Sequence, residues 1–90
     1  MATVGQVVTL PADLVNTTAI HNLLGGLGCR TYKAEIVEIT DGGVCKLILP
    51  KGKKIGNGGT RMVTSKDFDG RYVGHEMVSL HQDFIRELAP

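Results

Sequence analysis

The residues best placed to do chemistry in this chain are its cations. Seven of the ten, Lys46, Lys51, Lys53, Lys54, Arg61, Lys66 and Arg71, fall between positions 46 and 71. Only Asp67 and Asp69 oppose them there, which gives the segment +5 and leaves −4 for the rest of a chain whose total is +1. A local positive field attracts phosphates and acidic surfaces even when net charge is near zero. Within the segment, Lys51, Lys53, Lys54 and Arg61 lie among Gly52, Gly56, Gly58 and Gly59. Glycines leave backbone N–H groups unshielded, so a Lys/Gly-rich hairpin over residues 50–61 could follow a phosphate backbone, with Lys66 and Arg71 at its rim. The plain alternative is a solubilising turn that keeps an edge strand from pairing.

Other chemistry has weaker support. Residues 65–76 carry Ser65, Asp67, Asp69 and Glu76 at calcium-loop positions 1, 3, 5 and 12, with Gly70 at position 6 and Tyr72 at position 8. Ser65 removes one carboxylate from that pattern, and the basic stretch before it repels a cation, so the plain reading is a turn at Asp69-Gly70. His75 and His81 are about 240° apart on a helix, so they share no face. Neither C-x-x-C nor H-x-x-x-H occurs, and no metal site is assigned. His75 reads as exposed, whereas His81 and His21 read as partly buried. The loop also lacks the phosphate-binding motif G-x-x-x-x-G-K-[ST]. Cys45 reads as a packing cysteine between apolar neighbours. Cys29 sits beside Arg30 with no identifiable base, so no nucleophile is assigned and the chain reads as non-enzymatic, with no cofactor.

The elements that must position these residues follow from patterning. Ninety residues make one domain, residues 1–90, with an aliphatic core, since the aromatics are only Tyr32, Phe68, Tyr72 and Phe84. Residues 3–10 read as a strand. Thr9 as a cap and Pro11 in a first turn predict a helix that ends at the glycines at 25, 26 and 28, either continuous or broken at Asn16-Thr17-Thr18, where Asn16 would cap a second piece. Residues 30–40 and 44–49 flank Asp41-Gly42-Gly43 and predict a hairpin. The register predicted pairs Thr40 with Val44, Ile39 with Cys45, Glu38 with Lys46, Val37 with Leu47 and Ile36 with Ile48. It keeps Cys45 away from Cys29, so no disulfide is expected between them. Asn57-Gly58 predicts a second hairpin, leading to a strand over 60–65. Met77, Leu80, Phe84 and Leu88, widened by Val78 and Ile85, predict a helix from Gly74 to Leu88.

The expectation is a small α+β domain: a twisted antiparallel sheet in β-α-β-β-β-α order with two helices packed on one face. The leading functional expectation is a binding module for nucleic acid or another polyanion. The alternative is an assembly subunit of a homo-oligomer or larger particle, such as a viral or phage accessory component, because the hairpin is apolar on both faces. An acidic protein surface is a further possible partner. No secretory signal and no membrane-length apolar run is visible, so a cytoplasmic setting is expected.

Overall fold

The computed structural model describes residues 2–11, 31–55 and 60–88, with side chains described to Ile85. Strands β1 (Val7–Pro11), β2 (Thr31–Ile39), β3 (Val44–Ile48), β4 (Arg61–Met62) and β5 (Glu76–His81) are followed by helix α1 (Gln82–Leu88). They form one five-stranded sheet in the order β1-β2-β3-β5-β4, with every neighbouring pair antiparallel. The first strand therefore joins the main sheet, with Val8 opposite Ala34 and Leu10 opposite Tyr32.

Alternation drives β1 and β2. Val8 and Leu10 are buried while Val7 is exposed; Ala34 and Ile36 are buried while Lys33 and Glu35 are exposed. Pro11 ends β1 opposite Thr31, in a strand at the edge of the sheet among the described strands, where a missing N–H is tolerated. This corrects its predicted place in a helical first turn, and Thr9 likewise lies within β1. The remainder of that predicted helix lies outside the described residues, as do Cys29, His21 and Asn57-Gly58.

The β2–β3 hairpin forms as predicted at its turn. Thr40 N–H donates to the Val44 carbonyl at 2.9 Å, Gly43 N–H donates to the Thr40 carbonyl at 2.9 Å, and Gly43 takes φ +85°. Ile39–Cys45 and Glu38–Lys46 pair as predicted, the latter with an ion pair of 3.2 Å. Beyond Glu38 the predicted register fails. A bulge at Val37 puts Ile36 opposite Leu47 and Glu35 opposite Ile48. Ile36 and Ile39 lie an odd number of residues apart, and both pack in or against the same core. An uninterrupted strand would send one of them to the opposite face, so an extra residue is required.

Two further predictions are corrected. Residues 76–81 are strand, not helix, because they fill the gap between β3 and β4, with Ile48 opposite Met77 and Cys45 opposite Leu80. Met77 and Val78 are buried in different clusters on opposite faces, so the apolar spacing serves a two-sided strand; tertiary pairing overrides the helical reading. The second hairpin also does not form between neighbouring strands: β5 separates β3 from β4, and β4 is only Arg61–Met62, paired with Met77 and Glu76.

One face of the sheet buries Val8, Leu10, Ala34, Ile36, Cys45, Leu47, Leu49 and Val78, closed by Ile55 and by Ile85 of α1. The opposite face has a smaller cluster of Ile48, Val63 and Met77, on which Val37, Phe68 and Tyr72 pack. α1, the one described helix, lies on the first face against β1 and β5. No described helix is long and apolar enough to cross a membrane.

Candidate functional site: a basic rim around a small cavity

Chain geometry explains where the cations go. After Leu49, whose N–H donates to the Glu76 carbonyl, Pro50 ends the strand and Lys53 N–H closes a turn onto the Pro50 carbonyl at 3.0 Å. Gly52 takes φ +83° in that turn, a conformation suited to glycine. Lys51, Lys53 and Lys54 are exposed around it, and buried Ile55 pins the far end of the turn to the main core.

The second basic segment is a compact loop from Thr64 to His75. The Asp67 carboxylate accepts from the Thr64 N–H at 2.9 Å and from its hydroxyl at 3.1 Å, while Asp67 N–H donates to the Thr64 carbonyl. Arg61 donates to both Asp67 oxygens, at 3.1 and 3.4 Å. Those bonds, Arg61 first and then Thr64, hold the Asp67 carboxyl at a pKa of about 2. Arg61 is thus already matched in charge. A single 3₁₀ turn, Phe68–Gly70, follows, and Asp69-Gly70 turns as the sequence predicts, at φ +58° and +82°.

Lys51, Lys53, Lys54, Lys66 and Arg71 are exposed and have no salt-bridge partner among the described residues. The two basic segments meet: the Lys51 Cε lies 3.5 Å from where a Cβ on Gly74 would stand. Lys51 is thus brought beside the end of the Thr64–His75 loop, which carries Lys66 and Arg71, while Arg61 serves as a clasp on Asp67 of that loop.

Between these segments the structure holds something the sequence reading missed. A cavity of about 290 Å³ opens beside Pro50, lined by Val7, Ala34, Ile48 and Leu49, of which Ala34 and Leu49 have their side chains buried in the core on the other face. Lys33 and Glu35 of β2 and Tyr72 and His75 of the loop supply its polar groups. The His75 Nδ1 lies 2.8 Å from the Leu49 carbonyl oxygen. A carbonyl only accepts, so Nδ1 carries the proton and Nε2 is left outside that bond. His75 is thus half-buried rather than exposed in a helical turn.

Tyr72 is held on several sides. Its ring meets Phe68 and His75 edge to face, at 6.1 and 6.2 Å between centroids, and the Arg71 guanidinium carbon lies 5.6 Å from its centre. Its backbone is at φ +62°, and Phe68 and Asp69 also have positive φ. Three non-glycine residues in this region within five positions is unusual, and such clusters persist where surrounding structure over-determines them. The only sequence trace of this arrangement is the i, i+3 spacing of Tyr72 and His75 before Gly74 turns the chain at φ +90°.

The calcium-loop residues are not gathered. Asp67 is occupied by Arg61 and Thr64, Glu76 lies in β5 and accepts from the Thr60 hydroxyl at 3.1 Å, and Ser65 and Asp69 are exposed. Among the described residues no group of three His, Cys, Asp or Glu side chains could hold a metal ion. Cys45 is fully buried and burial pushes its thiol pKa up, which keeps it protonated at neutral pH and poorly nucleophilic. His81 lies exposed at the end of β5, with its Nδ1 accepting from the Asp83 N–H at 3.1 Å, rather than bordering a core.

No family model, curated protein or solved structure matches this chain.

Proposed function

We propose that this protein is a non-enzymatic binding module for a polyanion, nucleic acid above all, and that it binds through the Pro50–Lys54 turn together with the Thr64–His75 loop. The observation that carries this reading is the concentration of Lys51, Lys53, Lys54, Lys66 and Arg71 in two segments, with Lys51 lying beside Gly74 at the end of the second, each cation without an ion-pair partner among the described residues. Unmatched cations at one place are an electrostatic footprint for phosphates. Arg61 supports the surface indirectly, by bracing Asp67 and the start of the loop. The test is binding to fluorescent duplex and single-stranded DNA and RNA across a salt series. Micromolar or tighter binding with log K falling linearly in log salt is expected. Absence of binding at low salt overturns the reading.

A second reading, self-assembly, has its own observation. β1 is an edge strand with only β2 beside it among the described strands, and Val4 and Val7 near that edge are 64% and 60% exposed. An exposed apolar edge is suited to pairing with a second copy. Light scattering across a hundredfold range of concentration tests it: a constant oligomer favours assembly, a monomer throughout removes it.

A further inference from the structure

The cavity beside Tyr72 has a composition that a solubilising loop does not need. Val7 and Ile48 give it aliphatic surface, Tyr72 is part of its lining, and its polar members offer opposite hydrogen-bonding characters. Lys33 donates, Glu35 accepts, and the His75 Nε2 is free of the bond that fixes Nδ1 to Leu49. Lys33 and Glu35 are two residues apart on one strand, so they stand on the same face of the sheet.

Cations flank this cavity on both of its chain connections. Pro50 is part of its wall and Lys51 follows directly. Tyr72 is part of its lining and Arg71 precedes it, with its guanidinium over the Tyr72 ring. The result is an apolar and aromatic slot with paired donor and acceptor groups, bordered by positive charge. That is the order of chemistries in a nucleotide: a flat base with donors and acceptors on its edge, then a phosphate on either side. A volume of about 290 Å³ lies at the small end of ligand pockets and is enough for one ring system.

We infer that the cavity takes one unstacked nucleobase of a single-stranded nucleic acid, with Tyr72 as the aromatic contact, Lys33 and Glu35 facing the base edge, and Lys51 and Arg71 at the flanking phosphates. This deepens the polyanion reading and rests on it. A base inside a duplex is stacked and paired, so it cannot enter without being pulled out. The protein therefore binds single strands in preference to duplexes of equal charge. The preformed slot also accounts for the left-handed backbone of Tyr72: the ring is fixed in place before the ligand arrives, which lowers the ordering cost of binding.

The experiment compares two strands of twelve nucleotides by fluorescence anisotropy with the full chain. One carries bases; the other has the same sugar-phosphate backbone with no bases. The base-bearing strand, offered as DNA and as RNA, is expected to bind about tenfold more tightly than the abasic one in at least one of the two forms. Tyr72→Leu is expected to bring the ratio close to one while leaving the salt slope unchanged. Should that variant fold poorly, Glu35→Gln on the exposed strand face reads the same ratio, with a several-fold fall expected. Equal binding of the two wild-type strands in both forms overturns the base slot and leaves the polyanion reading standing. Binding of neither strand at low salt overturns both.

Discussion

The two faces of the sheet are built to different rules. Among the described residues the first face buries ten apolar side chains, from β1, β2, β3 and β5, from the loop after β3 and from α1, and none of those residues has a left-handed backbone. Among the described residues the second face buries Ile48, Val63 and Met77, covered by the Thr64–His75 loop, which contains Phe68, Asp69 and Tyr72 at positive φ. On the first face the described chain keeps to ordinary backbone conformations. On the second it accepts unfavourable backbone, exposes cations and leaves a cavity. The larger described core thus lies on one face, and the proposed binding surface lies on the other, among irregular and strained segments of the kind where binding sites are found on a rigid scaffold.

That division can be broken by mutation. Leu47→Ala, in the first cluster, is expected to cost about 3 kcal/mol, whereas Met77→Ala, in the second, is expected to cost about 2 kcal/mol, because its cluster opens onto a cavity and half-buried rings that can relax. Urea denaturation of both variants checks the order, and a reversed order would contradict the assignment. The double change Lys53→Glu with Lys54→Glu should leave the melting temperature close to wild type while weakening single-strand binding tenfold or more. It should also reduce the salt slope by about 1.4, the share of two phosphate contacts. A loss of stability instead would mean that these lysines belong to the scaffold.

Gly43 probes the contact between the hairpin turn and the start of α1. It sits at φ +85°, and an added Cβ would stand 2.9 Å from the Gln82 Nε2, with the Gln82 N–H donating to the Gly43 carbonyl at 2.8 Å. Gly43→Ala should cost about 1–2 kcal/mol, read by thermal melting, with no effect on ligand affinity. The smallest effect concerns Asp67. Its carboxyl is held at about 2 in the folded chain, against an ordinary value of 3.8, by Arg61 and Thr64. The unfolded state then binds more protons in that window. Asp67 therefore contributes stability that is fully present above about pH 4 and is lost as pH falls towards 2. Asp67→Asn should flatten that part of the stability-against-pH curve, and an unchanged curve would detach the clasp from stability.

Legibility in the sequence followed locality. The Asp41-Gly42-Gly43 turn and the Glu38–Lys46 pair are readable because turn chemistry and cross-strand charge act over a few residues. The bulge at Val37 is hidden, because Val37 is itself apolar and masks the change of parity between Ile36 and Ile39. Residues 76–81 mislead for a related reason: Met77, Val78 and Leu80 match a helical stripe, and only the long-range pairing with β3 makes them strand. The cation cluster was legible as composition. Arg61's commitment to Asp67 was not, since it depends on the loop folding back from Thr64. Least legible was the cavity, whose members Val7, Lys33, Glu35, Pro50, Tyr72 and His75 come from four separate stretches that only the sheet order brings together.

The division of the molecule is tested most directly by titrating the ¹⁵N-labelled protein with a short single strand and following backbone amide shifts. Perturbations confined to Lys33, Glu35, Lys51–Lys54 and Lys66–His75, with Val8, Leu10 and Ile36 unmoved, are the predicted result. Perturbations centred on β1 and α1, or none at a concentration of strand that saturates a micromolar site, would contradict the account.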